Sequence, residues 1–258
     1  MKKISLIITT KNPQLQAGWY TEGAEVILAT GSTDLVADKN RAAAKAAGDV
    51  LVFMDDDARA VNMFFLTSIS HCFKYYNIDL LTARITTENI SPFDVVCSQD
   101  LGYGFKVFDI NDVSLNWRLI KRMVKSLFHK GQLRGSAPPP WGIGNGTCFA
   151  ITKAMFNLVG GFNPRRTVGA TSSACEDNDL FYRVLRAGGR IVYNSEIEVV
   201  HEHGRTTLAS AVARRREYDR GNLRFAASHW RNPLFWPYVV YFTIKSIQPG
   251  SKIEKFIQ

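Results

Sequence analysis

The feature that most limits how this chain folds is the stretch DVLVFMDDDAR at residues 49–59. Five consecutive apolar residues, typical of a strand buried on both faces of a parallel sheet, lead directly into three carboxylates, Asp55, Asp56 and Asp57. Two unit charges about 4 Å apart repel each other by roughly 4 kcal/mol at an effective dielectric constant of 20. The triplet therefore predicts either a solvated turn or a site where carboxylates converge on one divalent cation.

The surrounding pattern predicts an α/β fold. Residues 4–10 and 25–29 have the composition of strands, and the alanine-rich residues 38–49 predict a helix that ends at Gly48. Strands that alternate with helices are typical of a doubly wound α/β architecture. In such sheets ligands bind beyond the carboxyl ends of the strands, which is where the three aspartates lie.

Size and hydropathy are those of a globular cytoplasmic protein. The chain has 258 residues, 46% of them hydrophobic, which suits either one large α/β domain or a domain with an appendage. Its four cysteines form no C-x-x-C pair, which favours free thiols in a reducing cytoplasm and argues against zinc. The apolar run after Lys3 is too short for a signal sequence. Residues 233–247, interrupted by Pro237, are fewer than the roughly 20 that span a bilayer, so we expect no transmembrane helix.

Charge is distributed unevenly along a chain whose net charge is +9. Residues 113–175 contain nine basic and no acidic side chains, residues 208–258 carry a net charge of +6, and residues 1–112 carry −4. The basic segments indicate an anionic partner or surface. A nucleic-acid-binding protein is one interpretation, but the acidic amino-terminal part and the lack of a recognisable binding motif oppose it, so no nucleic acid is expected as a partner.

Three further stretches of the sequence are informative because of the order in which they occur. GNGTCFAITKAMFNLVGGFNP, at 144–164, alone indicates a loop, a helix and a turn. CEDNDLFYRVLRAGG, at 175–189, places acids at a helix start, where they commonly serve as caps. His201 and His203 lie near the end of an extended segment. Following a strand that ends in a DxD triplet, this succession resembles the family-2 glycosyltransferases of the GT-A type, over about residues 3–207.

The resemblance implies a role for each matching residue. Asp55, Asp57 and His201 match the residues that hold Mn²⁺ or Mg²⁺, and His203 is a weaker substitute for His201. Asp177 matches the general base, with Glu176 beside it as a second catalytic candidate. The predicted donor-binding residues are Thr9, Lys11, Lys39, Arg41, Asp55 and Asp56, and the loop beside the donor sugar and the acceptor is Gly144, Asn145 and Gly146.

The resemblance also implies an activity, the transfer of a sugar from a nucleotide donor to a hydroxyl group. A divalent cation separates the donor diphosphate from the carboxylates, and a base contributes about 10²–10⁴-fold by taking the proton of the attacking hydroxyl. One base without a second carboxylate as nucleophile implies a single displacement that inverts the anomeric carbon. UDP is the preferred nucleotide, and GDP and dTDP stay open because Ala29 and Thr30 stand where family members commonly carry an aspartate.

The resemblance covers a GT-A domain at residues 1–207, a Rossmann-like mixed sheet flanked by helices, and leaves a basic, aromatic helical extension at 208–258. The extension and a basic helix predicted at 117–130 suggest peripheral contact with the cytoplasmic face of a membrane and a glycan or lipid-linked acceptor of the cell envelope. Alternatively, the basic face of that helix is only exposed to solvent, or it binds an anionic acceptor. Two alternative functions would use the same Asp-rich site. The chain could be a two-metal nucleotidyltransferase, or an inactive member of the fold that only binds sugar nucleotide.

Overall fold

A computed structural model of the chain describes residues 2–12, 14–15, 23–88, 103–108, 146–164, 167–168, 172–173, 175–202, 220–229, 231 and 235–247. The helix predicted at 117–130 lies outside these residues. The strands are Ile4–Thr9 (β1), Glu25–Ala29 (β2), Val50–Asp55 (β3), Ala58–Ala60 (β4), Leu80–Glu88 (β5), Phe105–Phe108 (β6), Cys148–Thr152 (β7), Thr167–Val168 (β8), Ser172–Ser173 (β9) and Ile191–Glu202 (β10). The helices are Leu35–Lys45 (α1), Phe65–Tyr75 (α2), Lys153–Leu158 (α3), Glu176–Arg186 (α4), 220–228 (α5) and Trp236–Ile247 (α6).

Eight of these strands form one mixed sheet, in the order β2-β1-β3-β7-β5-β10-β4, with β6 paired to the first half of β10. β1 runs parallel to β2 and β3, and β5 runs parallel to β10. β7 lies antiparallel between β3 and β5. The predicted mixed α/β sheet with flanking helices is confirmed, and the antiparallel strands β4, β6 and β7 make the sheet mixed rather than wholly parallel.

Two apolar layers cover the sheet. We call one side the α4 face; it carries Phe53, Phe149 and Ile151 and packs against α1, α3 and α4. The opposite side, the α2 face, carries Val52 and Ala150 and packs against α2. Because successive residues of a strand point to opposite faces, the continuous apolar run of β3 is buried on both sides, as the sequence predicted.

The described part of the carboxyl-terminal extension shares the core of the α4 face. The ring of Tyr182 in α4 lies 5.8 Å from that of Phe225 in α5 and 5.5 Å from that of Phe235, which precedes α6. The extension therefore completes the packing around α4. Within the described residues, no helix combines the length and the apolarity needed to cross a membrane.

Candidate functional site

The carboxyl end of β3 presents the three aspartates at one edge of the sheet. In the parallel pairing of β1 with β3, Asp55 lies opposite Thr9. The backbone N–H of Asp55 donates to the carbonyl of Thr147 at 3.0 Å, and that of Asp56 donates to the carbonyl of Thr9 at 3.2 Å. These bonds hold the turn after β3 against two neighbouring segments, at the edge where ligands bind in open α/β sheets.

Asp55, Asp57 and His201 form a candidate metal site. β4 follows the triplet at once and pairs antiparallel with β10, which sets Ala58 opposite His201. One ligand atom from each of the three residues lies within 4.8 Å of the other two, and Asp57 Oδ1 is 3.0 Å from His201 Nε2. Carboxylate oxygens suit Mg²⁺ and Mn²⁺. The structure thus brings together the three residues to which the family resemblance assigned a metal.

The electrostatics of Asp55 also fit a cation. Burial raises the pKa of Asp55 to about 6; Lys39 opposes this shift and Asp57 adds to it. An adjacent positive charge favours the ionised form of a carboxylate, so a divalent cation would reverse the shift. The repulsion expected between neighbouring aspartates is therefore present in part, because Asp57 contributes to the raised pKa of Asp55.

Asp56 is oriented differently from its neighbours. Its carboxylate accepts a hydrogen bond of 2.6 Å from the hydroxyl of Thr10. Thr10 directly follows β1, so this bond ties the end of β1 to the turn after β3. Asp56 was predicted as a donor-binding residue. It lies beside the candidate metal site, and its carboxylate is hydrogen-bonded to Thr10.

A buried ion pair joins α1 to the start of α4. Lys39 Nζ lies 3.0 Å from Glu176 Oε1, and the side chains are only 5% and 8% exposed. Burial by itself lowers the pKa of Lys39, but Glu176 and then Asp55 raise it, and the net shift is upward. Lys39 is therefore a cation whose charge acts on both the metal site and the Glu-Asp pair.

Asp177 lies in the first turn of α4, where the helix dipole favours a carboxylate. Its Oδ1 accepts the backbone N–H of Asn178 at 2.8 Å, and the backbone of Gly146 also bonds to it. A Cβ added at Gly146 would lie 3.1 Å from Asp177 Oδ2, so the glycine leaves room for the carboxylate. Burial raises the pKa of Asp177 to about 7, and Glu176 adds to the shift, which suits a general base near neutral pH.

The remaining predicted donor-binding residues occupy different surroundings. Thr9 is buried, and its hydroxyl oxygen has no hydrogen-bond partner among the described residues, so a bound ligand can satisfy it. Lys11 is exposed just beyond β1. Arg41 pairs with Asp38, and it lies two residues from Lys39, so the two side chains leave α1 in different directions. The loop residues Gly144 and Asn145, and the alternative ligand His203, lie outside the described residues.

The sequence did not indicate the backbone conformation that directly precedes α4. Cys175 has a φ of 66°, in the left-handed region that non-glycine residues seldom adopt. Such strain is common beside functional sites, and here it directly precedes Glu176 and Asp177. The Cys175 thiol donates to Asn222 Oδ1 at 3.2 Å, across 47 residues of sequence, so no local pattern could have indicated how α4 begins.

The fold is shared with solved structures of low sequence identity. The crystal structure of S. aureus TarS matches with a TM-score of 0.51 at 12% identity, over 87% of this chain and 39% of TarS, so this chain spans less than half of that protein. The mannosyltransferase PcManGT from Pyrobaculum calidifontis, in complex with GDP-Man and Mn²⁺, matches with a TM-score of 0.50 at 13% identity, over 95% of this chain and 69% of that enzyme. No protein-family model matches the sequence, and no curated protein matches it. At these identities the likeness establishes the fold, and it confirms the predicted α/β class.

Proposed function

We propose that this chain is an inverting, metal-dependent glycosyltransferase of the GT-A type and family 2. It moves a sugar from a nucleoside-diphosphate donor to a hydroxyl of a glycan or lipid-linked acceptor. The observation that carries the proposal is the convergence of Asp55, Asp57 and His201 on one point, with Asp177 linked to them through the charge of Lys39. The mannosyltransferase of like fold, in complex with GDP-Man and Mn²⁺, supports both the donor class and the metal.

Each group of residues has one task in this proposal. Asp55, Asp57 and His201 would hold Mn²⁺ or Mg²⁺, which would supply Lewis-acid stabilisation of the charge on the departing nucleoside diphosphate. Asp177 takes the proton of the acceptor hydroxyl as that oxygen bonds to the anomeric carbon, and the bond from this carbon to the diphosphate breaks on the opposite side. The pair of Lys39 with Glu176 fixes the start of α4, so Glu176 orients the base.

Calorimetric titration with UDP, GDP and dTDP, each with and without Mn²⁺, tests the donor site. We expect one nucleoside diphosphate, UDP first, to bind only when the metal is present. Asp57→Ala should abolish that binding, whereas Asp49→Ala, at an exposed aspartate before the other end of β3, should preserve it. Binding that needs no metal, or that survives Asp57→Ala, would contradict the proposal.

The products of the reaction separate the two transferase classes that share an Asp-rich metal site. A glycosyltransferase releases a nucleoside diphosphate from a sugar nucleotide, whereas a nucleotidyltransferase releases pyrophosphate or a nucleoside monophosphate. Phosphorus NMR of a reaction with UDP-sugars and Mn²⁺ distinguishes these products directly. We expect UDP, and the appearance of pyrophosphate would favour the rival reaction.

We also propose that the protein works in the cytoplasm and contacts a membrane surface through α6. Trp236, Val240 and Ile244 are spaced four residues apart on this helix and are 58%, 58% and 36% exposed, whereas Tyr238 and Phe242 are buried in the core. An exposed apolar stripe in a basic segment suits the interface of an anionic bilayer. The contact would bring a lipid-linked acceptor to the site.

Co-sedimentation with phosphatidylglycerol vesicles tests this contact. Removing residues 208–258 is an unsuitable test because Phe225 and Phe235 complete the core around α4. Replacing Trp236 and Val240 together with serine should release the protein from the vesicles. Leu158→Ser, which changes an apolar residue of α3 that is 69% exposed, is the control and should leave binding intact. Equal binding by both variants would contradict the contact.

A further inference from the structure

A second polar cluster lies on the α4 face of the sheet, outside the site described above. β5 and β10 pair in parallel, and strands in such a position are expected to be apolar on both faces. On the α2 face this holds, since Ile85 and Val199 are buried. The alternating positions on the α4 face instead carry Arg84, Thr86 and Glu198. At these paired positions the polar side chains therefore lie on the α4 face.

The members of this cluster contact one another and balance in charge. Arg84 Nη1 lies 3.6 Å from Glu198 Oε2, and the hydroxyl of Thr86 donates to Glu198 Oε1 at 3.2 Å. The guanidinium carbon of Arg84 lies 5.1 Å from the ring centroid of Tyr103. Tyr103 is 87% exposed, so solvent reaches most of its ring.

An irregularity of the sheet places Tyr103 beside Arg84. The register of β10 against β5 jumps from Asn194 to Glu198, which inserts a bulge of residues 195–197. Gly104 has a φ of 108°, a conformation that glycine adopts freely. Its N–H donates to Ser195 Oγ at 2.8 Å, and its carbonyl accepts the N–H of Ser195 at 3.2 Å. Bulges next to active sites commonly redirect a side chain, and here the redirected side chain is a tyrosine.

The cluster lies within reach of the proposed reaction. Glu198 is three residues before His201 on β10, which corresponds to about 10 Å along a strand. Asp177 belongs to α4, which packs on the same face. Because Leu51 and Leu80 both pair with Ile151, Arg84 on β5 lies level with Asp55 on β3, two strands or about 10 Å away. A saccharide that extends from the reaction across this distance would reach the cluster.

We propose that Tyr103, Arg84 and Glu198 form an acceptor subsite for an uncharged saccharide ring. The C–H face of the sugar stacks on the exposed ring of Tyr103, and its hydroxyls bond to the Glu198 carboxylate and the Arg84 guanidinium. Because Arg84 and Glu198 neutralise each other, the subsite favours a neutral sugar over a phosphorylated one. The assignment of this saccharide as the acceptor rests on the proposed function.

A printed array of neutral and phosphorylated oligosaccharides tests the subsite. The wild-type chain should bind neutral members of the array, and Tyr103→Ala should weaken that binding by about two- to tenfold, the contribution of one aromatic stack. Tyr75→Ala is the matched control and should bind like the wild type. This tyrosine, on α2, is 64% exposed and also lies beneath a cation, with Lys74 Nζ 4.7 Å from its ring centroid.

Metal-dependent UDP binding, measured on the same preparations, reports that the variants are folded. The subsite is refuted if the wild type binds no neutral oligosaccharide, if it prefers phosphorylated ones, if Tyr103→Ala binds as well as the wild type, or if Tyr75→Ala loses as much as Tyr103→Ala. Failure of the wild type to bind any nucleoside diphosphate with metal refutes the proposed function instead. The two failures are therefore distinguishable.

Discussion

The two polar clusters of the sheet differ in how their charges are balanced. At the bulge of β10, Arg84 and Glu198 offset each other. At the end of β3 and the start of α4, the buried cation Lys39 interacts with three carboxylates, those of Asp55, Glu176 and Asp177, and burial raises the pKa values of Asp55 and Asp177. The excess negative charge requires a cation, and hence suits an anionic donor, whereas the balanced cluster suits neutral hydroxyls. On the proposed function, this difference in charge would distinguish the donor side from the acceptor side.

The largest expected effect is on the free energy of unfolding, when the two ion pairs are broken. Lys39→Met leaves Glu176 buried without its cation and should lower the free energy of unfolding by about 3–5 kcal/mol. Arg84→Met breaks a longer pair whose side chains are 19% and 27% exposed, and it should cost about 1 kcal/mol or less. Urea unfolding followed by circular dichroism measures both values.

A double substitution checks the cause of this loss. Glu176→Gln combined with Lys39→Met removes the uncompensated charge, so it should recover part of the stability that the single Lys39 variant loses. Equal losses for Lys39→Met and Arg84→Met would show that the two pairs contribute alike, and the contrast between the clusters would then be wrong.

The next effect concerns the chemical step. Asp177→Asn removes the proposed base and should lower turnover by about 100-fold or more, while calorimetry should show metal-dependent donor binding retained. Glu198→Gln, in the balanced cluster, should act mainly on the KM for the acceptor. Steady-state kinetics with varied acceptor separates the two. If Asp177→Asn keeps full turnover, another residue is the base.

A smaller effect is expected from Gly146→Ala. The added methyl lies 3.1 Å from Asp177 Oδ2, so the carboxylate must move by a few tenths of an ångström, and turnover should fall about tenfold through misplacement of the base. Gly160→Ala is the control, since its φ of 77° is strained for alanine but nothing lies within 4 Å of the added atom. It should cost about 1 kcal/mol of stability and leave turnover unchanged. Equal turnover of the two variants would argue against close packing on Asp177.

The sequence predicted the residues at the end of β3 better than the cluster at the bulge of β10, for physical reasons. The apolar run of β3 and its aspartates is a local pattern, and Asp55 and Asp57 lie where that pattern placed them. The approach of His201 was implied only by the family resemblance, because it depends on the pairing of β4 with β10. The partner of Lys39 lies 137 residues away, and the position of Tyr103 depends on a bulge in another strand. Neither contact has a local signal, so neither was predictable from one sequence.

The smallest effect is the pH dependence of metal stabilisation. In the unfolded chain Asp55 releases its proton near pH 3.8, whereas in the folded chain its pKa is about 6. Without metal, the folded state therefore binds more protons across this window, and the contribution of Asp55 to the free energy of unfolding falls as the pH rises from about 4 to about 6. A cation must displace this proton, so protons and metal compete below pH 6.

Thermal unfolding with and without Mn²⁺ measures this competition. At pH 7.5 and 100-fold excess over the Kd, Mn²⁺ should raise the Tm by about 5–10 °C. At pH 5 and the same concentration the rise should be a few degrees smaller, because Asp55 is then largely protonated. Asp55→Asn should abolish the rise at both pH values, whereas Glu198→Gln should preserve it, because the acceptor cluster needs no metal. A rise that is equal at pH 5 and pH 7.5 would mean that Asp55 is not a ligand, and the charge imbalance at the end of β3 would then need another explanation.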